Sequence, residues 1–341
     1  MRVLDLTRHP VVLAPLAGGP STPELTAAVA DAGAFAFLAA GYLTSEVLRE
    51  RLGAVRSLTT RPIGVNLFVP GRPANRDAVA EYAEVLRAEA EHIGISLGDP
   101  RFDDDEWDEK LELLVEDPVD VVSFTFGCPP PAVIQRLRDR GSEIWVTITT
   151  PQEAIAAEAA GVDVLVAQGS EAGGHRATWS NHDPAIAGYG TLSLIQLVRR
   201  SCNAPVVATG GIATGDAIRA VLAAGARAAA LGTAFMLCPE AGTTPVHRNA
   251  LMGSAPTALT RAFTGRLARG IRNRFLDTYS DIAPTAYPEI HYLTAPLRQA
   301  GRTNADPDVV NLWAGQAYQL AKELPAAELV QQLAADVAAS P

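Results

Sequence analysis

The chain has 341 residues, 48% of them apolar, and a formal net charge of −10. This length exceeds the roughly 250 residues of a plain α/β barrel, so one barrel with an insertion, or two domains, is expected. The acidic balance argues against nucleic acid and anionic membranes as partners.

Three cysteines, Cys128, Cys202 and Cys238, stand far apart. They show no metal-ligand spacing, so no metal site is expected, and their sparseness suits a reducing, cytoplasmic compartment. No uncharged apolar run reaches membrane-spanning length, and the N-terminal stretch lacks the apolar core of a signal peptide.

In chain order, Val11–Ala14 reads as a first strand. Thr22-Pro23-Glu24 then supplies a capping hydroxyl, an early proline and an early acid, which start a helix running to Ala32. Strands follow at Ala34–Leu38 and Ile63–Phe68, separated by a helix from Ser45 to Arg56. The next connection is long and carries two helical patterns, Arg76–Ile93 and Asp103–Glu116. The acidic start of the second, Asp103-Asp104-Asp105-Glu106, is expected to complement the helix dipole and face water rather than hold a metal.

Strands four and five are Val119–Phe126 and Glu143–Thr149, each followed by a helix. The sixth opens at Val162, runs through Ala167, and ends in Gln168-Gly169-Ser170-Glu171-Ala172-Gly173-Gly174-His175. Here an imidazole sits on a glycine-hinged loop just past the carboxyl end of a buried strand, the end that carries the chemistry in parallel α/β folds. Histidine's ordinary pKa suits proton transfer near neutrality.

Strand seven, Pro205–Thr209, runs into Gly210-Gly211, and strand eight, Ala228–Leu231, into Gly232-Thr233. Eight strands alternating with helices predict a closed (β/α)8 TIM barrel. The eighth helix is expected at Asp308–Glu323. Residues 1–238 and 298–341 then form the barrel, and 239–297 form a smaller subdomain inserted over its mouth.

The glycine turns after strands seven and eight are placed to bind a phosphate through backbone N–H groups. With Asn66 and Gln168 at strand ends, able to bond the edge of an isoalloxazine, they point to flavin mononucleotide (FMN). The GxGxxG fingerprint with a downstream acid is missing, which argues against a Rossmann nicotinamide site.

Several motifs together resemble the nitronate monooxygenases: APLAGGPSTPEL from Ala14, VSFTFGCP from Val122, QGSEAGGHRA from Gln168, ATGGIATG from Ala208, LGTAF from Leu231, TGRLAR from Thr264 and LWAGQA from Leu312. They span nearly the whole chain. The resemblance implies an FMN barrel, with His175 as the catalytic histidine. It implies cofactor binding by Ala14, Pro15, Leu16, Ala17, Asn66, Thr147, Gln168, Gly173, Gly174, Gly210, Gly211, Gly232 and Thr233. The activity implied is oxidation of alkyl nitronates by O2 to a carbonyl compound and nitrite, with neutral nitroalkanes as a further substrate class. A homodimer is compatible with the resemblance. Many relatives carry a histidine where this chain has Thr125.

Because related flavoproteins share the EAGGH loop, an FMN-dependent NAD(P)H reductase of the enoyl-acyl carrier protein or quinone type is the alternative. A barrel that binds FMN or another phosphate ligand without turnover is a third reading. Cys128 is expected to be a packed residue, and Trp313 to face either the pocket or, preferentially, the core. Trp179 and His182 are expected near the pocket. The arginines Arg261, Arg266, Arg269, Arg272 and Arg274 are expected to pair with the chain's surplus carboxylates. Tyr287, His291 and Tyr292 receive no role.

Overall fold

The computed structural model describes residues 3–181 and 188–339, so His182 lies outside the described residues. The barrel strands are β1 (Val11–Leu13), β2 (Phe35–Ala39), β3 (Ile63–Phe68), β4 (Val121–Thr125), β5 (Glu143–Ile148) and β6 (Val164–Gln168). After the two-residue β7 (Gly174–His175) come β8 (Val206–Thr209) and β9 (Ala228–Leu231). The barrel closes in the order β1-β2-β3-β4-β5-β6-β8-β9. Every neighbouring pair is parallel.

Alternation along the strands sorts the apolar residues into two layers. Phe35 and Phe37 point into the barrel and meet Trp145 with ring centroids 5.4 Å away in each case. Ala36 and Leu38 face outward, into the layer shared with the helices. That outer layer is covered by α1 (Pro23–Asp31), α2 (Ser45–Leu58), α4 (Trp107–Glu116), α5 (Pro131–Arg138), α6 (Pro151–Ala159), α7 (Thr191–Ser201) and α8 (Gly215–Ala223). Helix starts follow their local chemistry. Thr22 accepts from Leu25 N in α1, and Thr150 forms a reciprocal capping box with Glu153 in α6.

A second, smaller core sits over the mouth. It joins α3 (Arg76–Ile93) to α10 (Arg274–Tyr279), α11 (Glu289–Leu293) and α12 (Ala295–Thr303), burying Tyr82, Leu86, Phe263, Phe275 and Leu297. The cover therefore draws on the connection after β3 as well as on the stretch after β9, and it continues past residue 297. The remaining helix of the cover is α9 (Pro245–Leu251). An antiparallel ribbon of β10 (Thr257–Thr260) and β11 (Ala268–Ile271) also belongs to it, and β11 pairs with β7. The ribbon thus reaches across to the histidine loop.

Two expectations change. Asp308–Glu323 is not a helix: it holds two short 3-10 turns, Pro307–Val309 and Tyr318–Leu320. Between them Val310, Leu312 and Ala314 are buried on alternate positions, the period of an extended chain. The helix that closes the barrel is α13 (Ala326–Ala338), packed on α1 and α8. The acidic run is also not a helical first turn facing water. Asp105 turns inward, 2.7 Å from the buried Lys110, and accepts from Tyr42 N, while Glu106 accepts from Ser45 N.

Candidate active site

A cavity of about 250 Å³ opens at the carboxyl ends of the barrel strands. Ala14–Ala17, Asn66, Thr147, Gln168, Gly173, Gly174, His175, Gly210, Gly211, Gly232 and Thr233 all line it. One site thus gathers residues more than two hundred positions apart.

The glycines are there for backbone reasons. Gly210 and Gly211 have φ of +116° and +69°, a region that side chains rarely adopt. A Cβ on Gly173 would run into the backbone of Ala314 and Gly315. This close approach lets the LWAGQA segment hold the EAGGH loop, Gln316 N donating to Glu171 O at 2.9 Å, and tie it to the turn after β9, Gly315 N donating to Thr233 Oγ1 at 3.0 Å. Glu171 in turn caps α7 through Thr191 N at 3.0 Å.

The two strand-end amides are held in fixed roles. Gln168 Oε1 accepts from Arg176 Nη1 and from Ala177 N, both at 2.9 Å, and its Nε2 donates to His175 O at 3.1 Å. Its oxygen is occupied and one N–H remains for the cavity. Asn66 Nδ2 donates to Ser123 Oγ at 2.8 Å and Thr125 Oγ1 at 3.0 Å, while its Oδ1 accepts from the Thr125 hydroxyl at 3.4 Å and keeps a second lone pair for the cavity.

His175 Nε2 lies 2.9 Å from Thr264 Oγ1. Thr264 can spend its single hydroxyl hydrogen on Arg266 O at 3.2 Å. It then accepts from Nε2–H, and Nδ1 keeps the lone pair. The TGRLAR motif is thus a clamp on the histidine. Arg266 sits behind it, 3.8 Å over the Phe126 ring, donating to Arg176 O and Thr178 O. Burial, then Arg266 and Arg298, push the His175 pKa down to about 3, so the ring is neutral at neutral pH. The imidazolium that would hold an anion is therefore not the form present.

Several lining groups were not singled out as site residues by motif or spacing: Tyr42, Thr264, His291, Arg298 and Arg302. Arg298 is 5% exposed and donates to His291 O at 2.6 Å and to Thr294 Oγ1 at 3.2 Å. Burial, then Arg302, lower its pKa to about 10. Arg302 donates to Asn311 Oδ1 at 2.9 Å. Among the described residues no Asp or Glu lines this cavity, and neither arginine forms an ion pair. Trp313, expected in the core, packs on the small core but also lines the cavity, 5.7 Å from the His175 ring.

Of the arginine cluster, Arg272 pairs with Asp277 and Arg274 with Glu89. The buried Arg266 and Arg269 bond carbonyl oxygens instead, Arg269 through Ser170 O at 3.0 Å, and Arg261 reaches Asn181 O. Cys128 packs against the main core, and burial raises its thiol to about 11, so it is inert at neutral pH. Trp179 does not line the cavity: its indole N–H donates to Thr147 O at 3.1 Å, behind the wall.

Fold and site together define a (β/α)8 barrel with a cavity at the carboxyl ends of its strands, lined by glycine turns and by two arginines that have no ion pair among the described residues. The sequence profile of the nitronate monooxygenase family matches residues 2–336. Nitronate monooxygenase from Pseudomonas aeruginosa is 41% identical over 344 aligned residues, covering 96% of this chain and 95% of its own. That of Paraburkholderia phytofirmans is 39% identical, covering 95% and 91%. The crystal structure of nitroalkane oxidase from Streptomyces ansochromogenes is 50% identical, with a TM-score of 0.96 over 98% of this chain and 97% of its own. FabK from Thermotoga maritima is more distant, 25% identical with a TM-score of 0.76, covering 98% and 94%. The chain belongs to the nitronate monooxygenase family and is a flavin-dependent oxidoreductase.

Proposed function

We propose that this enzyme binds FMN at the barrel mouth and oxidises alkyl nitronates with O2 to a carbonyl compound and nitrite. The carrying observation is the cavity's charge. In a chain of net charge −10, the wall holds Arg298, Arg302 and three neutral imidazoles, His175, His247 and His291, and no described carboxylate. A nitronate is an anion, and a desolvated guanidinium with no counter-ion is the group that attracts one.

The residues fit FMN. The left-handed Gly210-Gly211 turn and the Gly232-Thr233 turn bring backbone amides to the cavity without a bulky side chain, which suits a phosphate. Gln168 offers a donor and Asn66 an acceptor, matching the mixed edge of a flat heterocycle. When bound, the flavin supplies the electron acceptor for the nitronate and returns electrons to O2. The protein's part is placement and charge. Arg298 holds the substrate anion, the aromatic wall of Phe126 and Trp313 excludes water, and His175 Nδ1 receives the α-proton when a neutral nitroalkane is the substrate. A base acidified by burial and two arginines suits the preformed nitronate better than the neutral nitroalkane.

The test is nitrite release and O2 uptake with propyl nitronate and no nicotinamide present. Nitrite formed with flavin-loaded protein supports the reading. Activity only with NAD(P)H and an enoyl or quinone acceptor would replace it, and no turnover with either donor would favour a binding protein.

A further inference from the structure

Among the described residues, five other than glycine have positive φ, and three of these meet at one place beside the cavity. Tyr42 (φ 67°) follows β2, Phe126 (φ 77°) follows β4, and Asp105 (φ 63°) accepts from Tyr42 N at 2.8 Å. An aromatic residue in this region is strained, and such strain persists where the surroundings over-determine it, characteristically at functional sites.

The surroundings do over-determine Tyr42. Its ring stacks on His291 at 4.2 Å with an interplanar angle of 1°, and Phe68 meets it edge-on at 5.5 Å. Asp105 holds its backbone N–H and is itself paired with Lys110. The Tyr287 hydroxyl donates to the Tyr42 hydroxyl at 3.0 Å. Two phenols in mutual contact share one hydrogen and leave one over. With Tyr287 as donor, the free hydrogen is that of Tyr42, the tyrosine of this pair that lines the main cavity. His291, under the Tyr42 ring, accepts from Arg298 through its backbone carbonyl.

We infer that Tyr42 is a substrate-binding donor, its hydroxyl bonding one oxygen of the nitronate while Arg298 neutralises the charge, and that Tyr287 and Asp105 are positioning residues that aim it. This rests on the nitronate reading above. Burial raises the Tyr42 hydroxyl to about 12, so it stays a proton donor at any working pH. A preorganised donor of this kind costs no reorganisation when the anion arrives.

The experiment compares flavin-loaded wild type, Tyr42→Phe and Tyr287→Phe. Steady-state kinetics with propyl nitronate give one readout, and calorimetric titration with sodium nitrate, a planar non-reacting anion, gives the other. Tyr42→Phe keeps the ring stack and should keep its flavin. Its kcat/KM should fall about 10²-fold, the loss typical of removing one oxyanion donor, and its nitrate affinity should fall about tenfold. Tyr287→Phe frees the Tyr42 hydroxyl to turn away, so it should lose less on both readouts, and the double variant should lose no more than Tyr42→Phe alone.

Wild type that turns over nitronate, with Tyr42→Phe equal to it in kcat/KM and in nitrate affinity, would overturn the inference. If Tyr42→Phe does not fold, Tyr287→Phe decides: unchanged kinetics and nitrate affinity there overturn it too. Wild type inert toward nitronate would instead remove the functional reading on which it rests.

Discussion

Arg298→Met tests the electrostatic reasoning most sharply. The substitution keeps an unbranched side chain of similar length but removes a guanidinium that is 5% exposed and has no carboxylate partner among the described residues. A charge-assisted hydrogen bond contributes about 1.5–3 kcal/mol, so nitronate binding should weaken about 10- to 150-fold. For stability two terms oppose each other. His291 O and Thr294 Oγ1 lose their donor, while the fold no longer buries an uncompensated cation. The melting temperature should therefore move far less than the binding. The Arg298 charge also helps hold down the pKa values of His175 and His291, so both should rise in the variant. The assay is O2 uptake against concentration for propyl nitronate and for neutral nitropropane. The KM for the anion should rise steeply and that for the neutral compound much less. Equal KM values for wild type and variant on the nitronate would refute the argument.

Further outcomes follow from the same geometry. Gly211→Asp should abolish retention of flavin through purification, because its Cβ would stand 3.0 Å from Glu171 Cβ at φ +69° and place a carboxylate where phosphate is expected. Unchanged flavin content would put the phosphate elsewhere. His175→Asn should fold and bind flavin, lose about 10²–10⁴-fold on a neutral nitroalkane and lose less on the preformed nitronate. Equal losses on both would assign His175 to anion binding. Acid should destabilise the protein early. His175, His247 and His291 have folded pKa values below the ordinary 6.5, so between that value and the lowered ones the unfolded chain binds protons that the fold refuses. Stability is then fully present above pH 6.5 and falls as pH drops through this window. Asp105, raised to about 6, acts in the opposite sense but is a single group. Urea midpoints at pH 7.5 and 5.5 check this, and a higher midpoint at the lower pH would contradict it.

The barrel was legible because its signals are local. Ile63–Phe68 and Val164–Gln168 are apolar runs of strand length, and Thr22-Pro23 and Thr150-Pro151 announce their helices. The Gly210-Gly211 turn was legible for the same reason, since positive φ leaves its mark in residue type. The cover was not. Its last stretch carries apolar residues at a period of two, which matters only once β11 is beside it to bridge Gly270 to Trp313. His291, Arg298 and Tyr42 gained meaning from packing of α3 against α11 and α12, which no spacing encodes. In a chain with a surplus of acids, any arginine could have been paired. Arg272 and Arg274 are, while Arg266, Arg269 and Arg298 instead bond backbone carbonyls or a hydroxyl. The acidic run misled for the matching reason: one of its carboxylates was needed inside, to hold the strained Tyr42.

FMN held in this cavity is proposed to take its electrons from a nitronate anion. The direct measurement is the anaerobic absorbance spectrum of the purified yellow protein before and after propyl nitronate is added, with NADPH in a parallel cuvette. Nitronate alone should bleach the flavin band, air should restore it with nitrite released, and NADPH should leave it unchanged. A band that persists with nitronate and disappears with NADPH would contradict the account.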